Sequence, residues 1–194
     1  MHMKTAEVYK YLERIGNLLR AEIRQGDAKL QPVQLEILHY LSICNRHSNI
    51  PAAVTEYLGL TKGTVSQTLT VLENKGLIEK VPDAQDRRVI HLFLTEKGKA
   101  VVDASLPPAT LDQGLSFMAP EAREQLARGL AALLEGMQAA RQYKAFGVCS
   151  TCAHLRETET GHRCDLTGLP LEAGHLQQIC REFLPTAKEG EKAA

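Results

Sequence analysis

Apolar residues recur every three or four positions over residues 5–24, at Val8, Leu12, Ile15, Leu19 and Ile23, with Tyr11 and Leu18 widening the stripe. That period predicts an amphipathic helix, ended by Gly26-Asp27. A second helix is predicted over 31–45. It has Pro32 in its first turn, where a missing amide costs nothing, and Leu35, Leu38, Leu41 and Ile43 on its apolar side. Cys44 at its end reads as a small buried hydrophobe. A short helix over 51–58 and a turn at Gly59-Leu60 follow. The next helix, 61–75, opens on Thr61 as N-cap and carries Val65, Leu69 and Leu72 at i, i+4, i+7. Gly76 stops it as a left-handed residue. The period then changes. Residues 77–81 and 89–94 are short, β-branched and apolar, and predict a hairpin with a polar tip over 82–87. Helices resume over 96–106, break at Pro107-Pro108 and continue over 111–118. They end in a long segment, 119–146, with Leu126, Leu130, Leu133, Leu134 and Met137 as its stripe.

The helix over 61–75 has an unusual outer face. At about 100° per residue, Gly63, Gln67, Thr70 and Asn74 lie opposite the apolar stripe, flanked by Thr64 and Ser66. These groups are short, uncharged and able to donate or accept. Such side chains read base edges and phosphates in a major groove. The hairpin tip adds Arg87 and Arg88 beside Asp83 and Asp86. A short helix, a turn, an outward-reading helix and a hairpin with an arginine tip follow the order of a winged helix-turn-helix. The predicted contacts to double-stranded DNA are Thr61, Lys62, Thr64, Ser66, Gln67, Thr70, Asn74, Arg87 and Arg88. Asp86 is their support in the wing.

Over residues 58–98 the sequence resembles the MarR family of bacterial transcriptional regulators. The matching features are L-E-x-K-G-L-I at Leu72 to Ile78, D-x-R at Asp86 to Arg88, and L-T-x-K-G at Leu94 to Gly98. In looser element order the resemblance extends over about 5–145. It implies that Asp86 and Arg88 pair with each other and that the arginine enters the minor groove. It also implies a homodimer built from the first and last long helices, with room for a small-molecule or redox effector. A two-fold dimer places two reading helices about one DNA turn apart, on a pseudo-palindromic operator.

Composition refines this picture. The 194 residues, 44% of them hydrophobic, suffice for one or two domains with an ordinary core. Formal net charge is zero, and residues 59–99 carry seven cations against five anions, so local placement must matter more than bulk attraction. No apolar run approaches the roughly 20 residues of a membrane span, and MHMKTAEVYK lacks a signal-peptide core, so a cytoplasmic chain is expected. The fold class expected is mainly α with a small β-wing. Residues 1–30 form a dimerisation helix, 31–98 the winged helix-turn-helix, 99–146 further dimerisation helices, 147–185 a small metal-stapled module, and 186–194 a flexible tail. No H-E-x-x-H, G-x-S-x-G, phosphate-binding or dinucleotide motif is present. A regulator is therefore expected in place of an enzyme or an interaction adaptor.

The segment after residue 147 departs from the family pattern. Cys149, Cys152, Cys164 and Cys180 follow the spacing C-x₂-C-x₁₁-C-x₁₅-C. In a reducing compartment four such thiols read as one tetrahedral site rather than as disulfides. Zn²⁺ suits a closed shell of four thiolates. An iron–sulfur cluster accepts the same ligands, and the spacing distantly resembles that of high-potential iron–sulfur proteins. His154, His162 and His175 lie among the cysteines and read as surface or outer-shell groups. So short a segment needs a staple to fold. Following the long helix almost without a linker, it is expected to clamp the dimerisation helices.

Overall fold

The computed structural model describes residues 5–26, 28–140, 145–159 and 161–186. Seven α-helices and seven short strands occur among them. Helix α1 (Thr5–Gln25) leads to α2 (Pro32–Ile43), α3 (Pro51–Leu58) and α4 (Lys62–Asn74). Strands β1 (Ile78–Pro82) and β2 (Ile90–Leu94) form an antiparallel hairpin in which Ile78 faces Leu94 and Pro82 faces Ile90. Helices α5 (Glu96–Ser105), α6 (Ala109–Ser116) and α7 (Pro120–Ala140) complete the helical part.

One core holds α2, α3, α4, the hairpin and α5 together. Leu35, Ile37, Leu38, Tyr40, Val54, Val65, Leu69, Leu72, Ile78, Leu92 and Val102 are all buried in it. The stripe read from the 61–75 segment is thus its inner face. Thr68 joins it, its hydroxyl donating to Thr64 O at 2.8 Å. A helical threonine can hide its hydroxyl on its own backbone in this way.

Two joints explain the family-like motifs. Gly76, at φ +67°, turns the chain from α4 into β1, and Lys80 reaches back to Glu73 at 2.7 Å. Thr95 caps α5, accepting from Gly98 N at 3.0 Å while donating to Gly76 O at 2.7 Å. Lys97 Nζ donates to Lys75 O at 2.9 Å, which places a cation on the carbonyl end of α4. The start of α5 is thereby fixed to the end of α4. Gly98 has no room for a side chain: a Cβ there would lie 2.1 Å from Leu77 O. Gly98→Ala is expected to cost about 1–3 kcal/mol or more, the scale of overpacking, because backbone must move. A thermal melt measures it, and an unchanged midpoint would contradict this packing.

Helices α1 and α7 have no buried residue. Tyr9, Tyr11, Leu12, Ile15 and Leu18 on α1 are exposed, as are Leu126, Leu130, Leu133, Leu134 and Met137 on α7. The main neighbours of α1 are α2 and α6, not α7. Among the described residues the apolar stripes of α1 and α7 are left uncovered within the chain.

The helix expected over 119–146 is shorter. It is described to Ala140; residues 141–144 lie outside the described set, and Phe146 is not helical. Phe146 instead returns to the core and meets Tyr40 and Tyr57 edge-on, with ring centroids 6.2 and 5.1 Å away. An aromatic side chain has more to gain in that pocket than on an exposed helix. Residues 187–194, where a flexible tail was expected, also lie outside the described residues.

After Phe146 the chain forms a small module. Strand β3 (Gly147–Val148) pairs with β7 (Ile179–Cys180), and β4 (Leu155–Thr158), β5 (Gly161–Cys164) and β6 (Pro170–Leu171) form a second, three-stranded sheet. The module docks on the winged-helix core rather than on the long helices. Asn45 N donates to Ile179 O at 2.9 Å, Arg181 N donates to Ser48 Oγ at 2.8 Å, and Arg181 Nε pairs with Glu56 on α3 at 2.7 Å. The reason is the fold-back at Phe146, which brings β3 alongside the end of α2.

Candidate DNA-reading face and cysteine cavity

Every residue expected to contact DNA is exposed: Thr61, Lys62, Thr64, Ser66, Gln67, Thr70, Asn74, Arg87 and Arg88. Lys62, Thr64, Ser66, Gln67, Thr70 and Asn74 are exposed on α4, and Thr61 precedes it as the N-cap. Some of these groups also have local duties. Thr61 Oγ1 caps the helix, accepting from Thr64 N at 3.2 Å, and Thr70 Oγ1 donates to Ser66 O at 3.1 Å. Gln67 has no such bond in the structure's hydrogen-bond network among the described residues, so its amide is available to a partner.

The wing tip is an ordered turn. Asp83 Oδ1 accepts from Gln85 N and Asp86 N at 2.8 and 2.9 Å. These bonds, with a further one to His91, hold the Asp83 carboxyl below the usual carboxylate range. Asp86 accepts from Arg88 through both carboxylate oxygens, Nε–Oδ1 at 2.9 Å and Nη2–Oδ2 at 2.8 Å. This forked geometry is specific to arginine, and it lowers the Asp86 pKa while raising that of Arg88. The Arg88 side chain nevertheless remains 90% exposed. A charged fork is therefore held in one orientation at the tip of the hairpin, facing solvent.

The second site is the cavity lined by Cys149, Cys152, Cys164 and Cys180 together with Asn45, His47, His154, Leu155, Leu166 and Leu171. Cysteines separated by up to 31 positions thus share one space. It is small, about 30 Å³, enough for one or two water-sized groups. One donor already faces a sulfur: Leu184 N lies 3.5 Å from Cys152 Sγ, and Asn45 lines the cavity beside Cys149. Burial first, then the nearby Cys180, raise the Cys149 thiol above its ordinary value, against the pull of Asn45. Among the described residues, no three His, Cys, Asp or Glu side chains are drawn together tightly enough to hold a metal ion as they stand. The sulfurs are gathered but not closed.

Cys44 is separate. It is buried, its thiol donates weakly to Leu41 O, and burial pushes its pKa up to about 12. Such a thiol is inert at neutral pH. Of the three tail histidines, His154 lines the cavity. His162 pairs across the sheet with Leu171, and His175 Nδ1 accepts from Glu172 N at 3.2 Å.

The sequence reading passed over a set of polar residues between α2 and α3. Asn45, Ser48 and Asn49 are buried. Asn49 Nδ2 donates to Leu92 O at 3.1 Å, so its Oδ1 is the atom facing His91 Nδ1, at 2.6 Å. His91 Nε2 lies 3.2 Å from Asp83 Oδ2. The only sequence signal was a polar run, N-R-H-S-N, between two apolar helices, and such runs are usually solvated loops.

This arrangement is that of a winged-helix DNA-binding domain, and residues 30–98 match the family model of that description. The relatives narrow the class. The chain is 31% identical over 143 residues to the transcriptional repressor MprA of Escherichia coli, covering 71% of this chain and 76% of that protein. It is 29% identical to the repressor NicR of Pseudomonas putida over 61% of this chain and 80% of that one. Among solved structures, FabT of Streptococcus pneumoniae in complex with DNA superposes with a TM-score of 0.58 at 27% identity, covering 71% of this chain and 99% of that chain. MepR of S. aureus in its DNA complex gives 0.57 at 25% identity, with 70% and 99% covered. The chain belongs to the MarR-type family of winged-helix transcriptional repressors, whose members here are regulators and not enzymes. Among the described residues no helix is long and apolar enough to cross a membrane.

Proposed function

We propose that this protein is a homodimeric repressor that binds a pseudo-palindromic operator through α4 and the wing, and that its four-cysteine cavity takes one metal ion. The observation that carries the DNA reading is the exposed Asp86–Arg88 fork at the wing tip, beside an α4 face of amides and hydroxyls. In that reading α4 lies in the major groove, and Arg88 reaches the minor groove beside it. The dimer reading is carried by the unpartnered apolar stripes of α1 and α7, which a second copy would cover. A small effector would fit the cavity of about 590 Å³ between α1, α5 and the Pro107-Pro108 turn, a size typical of ligand sites.

Four thiols lining one cavity suit a single tetrahedral ion with a closed shell. Zn²⁺ is the ion we assign, held by Cys149, Cys152, Cys164 and Cys180. The amide of Leu184, 3.5 Å from Cys152 Sγ, would support that sulfur as a thiolate. Loading the ion requires the four thiols to draw closer together than they stand.

Arg88→Ala tests the DNA reading. Binding to the duplex flanking the protein's own gene should weaken by about 1–3 kcal/mol, the scale of one good contact. Stability should barely change, since the ion pair is at the surface. A gel shift with light scattering measures both. Unchanged binding by a variant that is still dimeric would remove the wing from the interface.

A further inference from the structure

Residues 45–49 join the cysteine cavity to the wing. On the cavity side they hold the tail on both flanks of Cys180. Asn45 N donates to Ile179 O at 2.9 Å, and Ser48 Oγ accepts from Arg181 N at 2.8 Å. Asn45 also lines the cavity beside Cys149. The chain on both sides of Cys180 is thereby tied to one short loop.

On the other side the same loop grips β2. Leu92 N donates to Asn49 O at 2.7 Å, Asn49 Nδ2 returns a bond to Leu92 O, and His91 donates to Asn49 Oδ1. His91 then faces Asp83, whose carboxylate holds the amide of Asp86, and Asp86 holds Arg88. The contacts run from the two neighbours of Cys180, through residues 45–49, to the guanidinium at the wing tip.

We propose that residues 45–49 act as a relay that couples metal occupancy of the four-cysteine site to the order and position of the DNA-reading wing. The inference rests on the metal reading above and deepens it: the module is a sensor whose output is the wing. Its physical basis is burial. Ser48 is fully enclosed, and Asn45 and Asn49 are nearly so. Buried polar groups are not left unpaired, and a satisfied network moves as a unit. When four thiols close around an ion, Cys149 and Cys180 move and the loop moves with them. Asn49 then either carries β2 along or gives up its bonds to it. A bound ion fixes Cys180 and so steadies both flanking attachments; without it they, and the His91–Asp83 contact beyond them, open more often.

Hydrogen exchange on the full chain tests the relay, comparing zinc-loaded protein with protein stripped by a chelator. Stripping should speed exchange over residues 147–186 and, through the relay, also over 83–92, by about fivefold or more, the lower end of ordinary coupling. Coupling is reciprocal, so a change at the wing must be felt at the metal. His91→Gln lies outside the cavity, and it should weaken zinc binding, measured by competition with a chromophoric chelator, by about fivefold. Lys80→Ala, a wing change off the route, should leave zinc affinity unaltered. If zinc binds and protects the tail while 83–92 exchange alike in both states, the relay is refuted and the metal site stands. Equal weakening by His91→Gln and Lys80→Ala would also refute it, by showing general loosening of the wing. Failure to bind zinc stoichiometrically would remove the metal reading and the relay together.

Discussion

Stripping zinc from the full chain, or replacing Cys164 by serine, is expected to unfold residues 147–186 while the winged-helix core stays folded. The module has almost no core of its own. Among its described residues only Cys149 and Cys152 are buried, and no strand exceeds four residues. Its attachments to the core are a few hydrogen bonds and the Arg181–Glu56 pair. Structural zinc supplies on the order of 10 kcal/mol to such a segment, far more than these contacts provide. Limited proteolysis with and without chelator, alongside metal analysis, measures the effect. New cleavage sites after residue 147 should appear only without metal. Cys44→Ser should leave metal content unchanged, because that thiol is buried apart, with its pKa pushed up to about 12. Iron with visible absorbance would replace zinc by a cluster and make oxidation the signal. No metal and an identical cleavage pattern would refute the assignment.

Leu69→Ala is expected to cost about 2–5 kcal/mol, the range for emptying a leucine site in a packed core. Leu69 sits on α4 among Val65, Leu72 and the other residues of the single core. Gln67→Ala, two residues away on the outer face, should change stability by no more than about 0.5 kcal/mol. It should instead alter operator preference, since a glutamine amide can pair with adenine in the major groove. Chemical denaturation of both variants and a selection of bound sequences separate the two roles. Similar stability losses at both positions would mean that α4 is rotated from the orientation described.

These two tests also mark what could be read without coordinates. The orientation of α4 was legible because helical period and burial are one geometric fact: Val65, Leu69 and Leu72 must face the same way. The N-cap at Thr61, the left-handed Gly76 and the hairpin were legible for the same reason, since each is local and depends on residues within one turn. The Asp86–Arg88 pair is two residues apart and came from the resemblance over that motif. The cysteine spacing marked four partners, though not where they would dock.

The tertiary structure decided everything that joins distant parts of the chain. Gly98 is a glycine because Leu77, twenty-one positions earlier, passes through the space of its Cβ. Phe146 leaves the predicted long helix because Tyr40 and Tyr57, over eighty residues away, form its pocket. The tail rests on the loop after α2 because Asn45 and Ser48 offer buried partners to Ile179 and Arg181. No periodicity encodes such contacts. A polar run looks solvated until another segment covers it. Sequence by itself therefore determined the reading helix, the wing and the set of four thiols. Only the folded chain decided that the thiols and the wing share one buried loop, because long-range hydrogen bonds depend on which surfaces meet and not on the spacing of residues within either one.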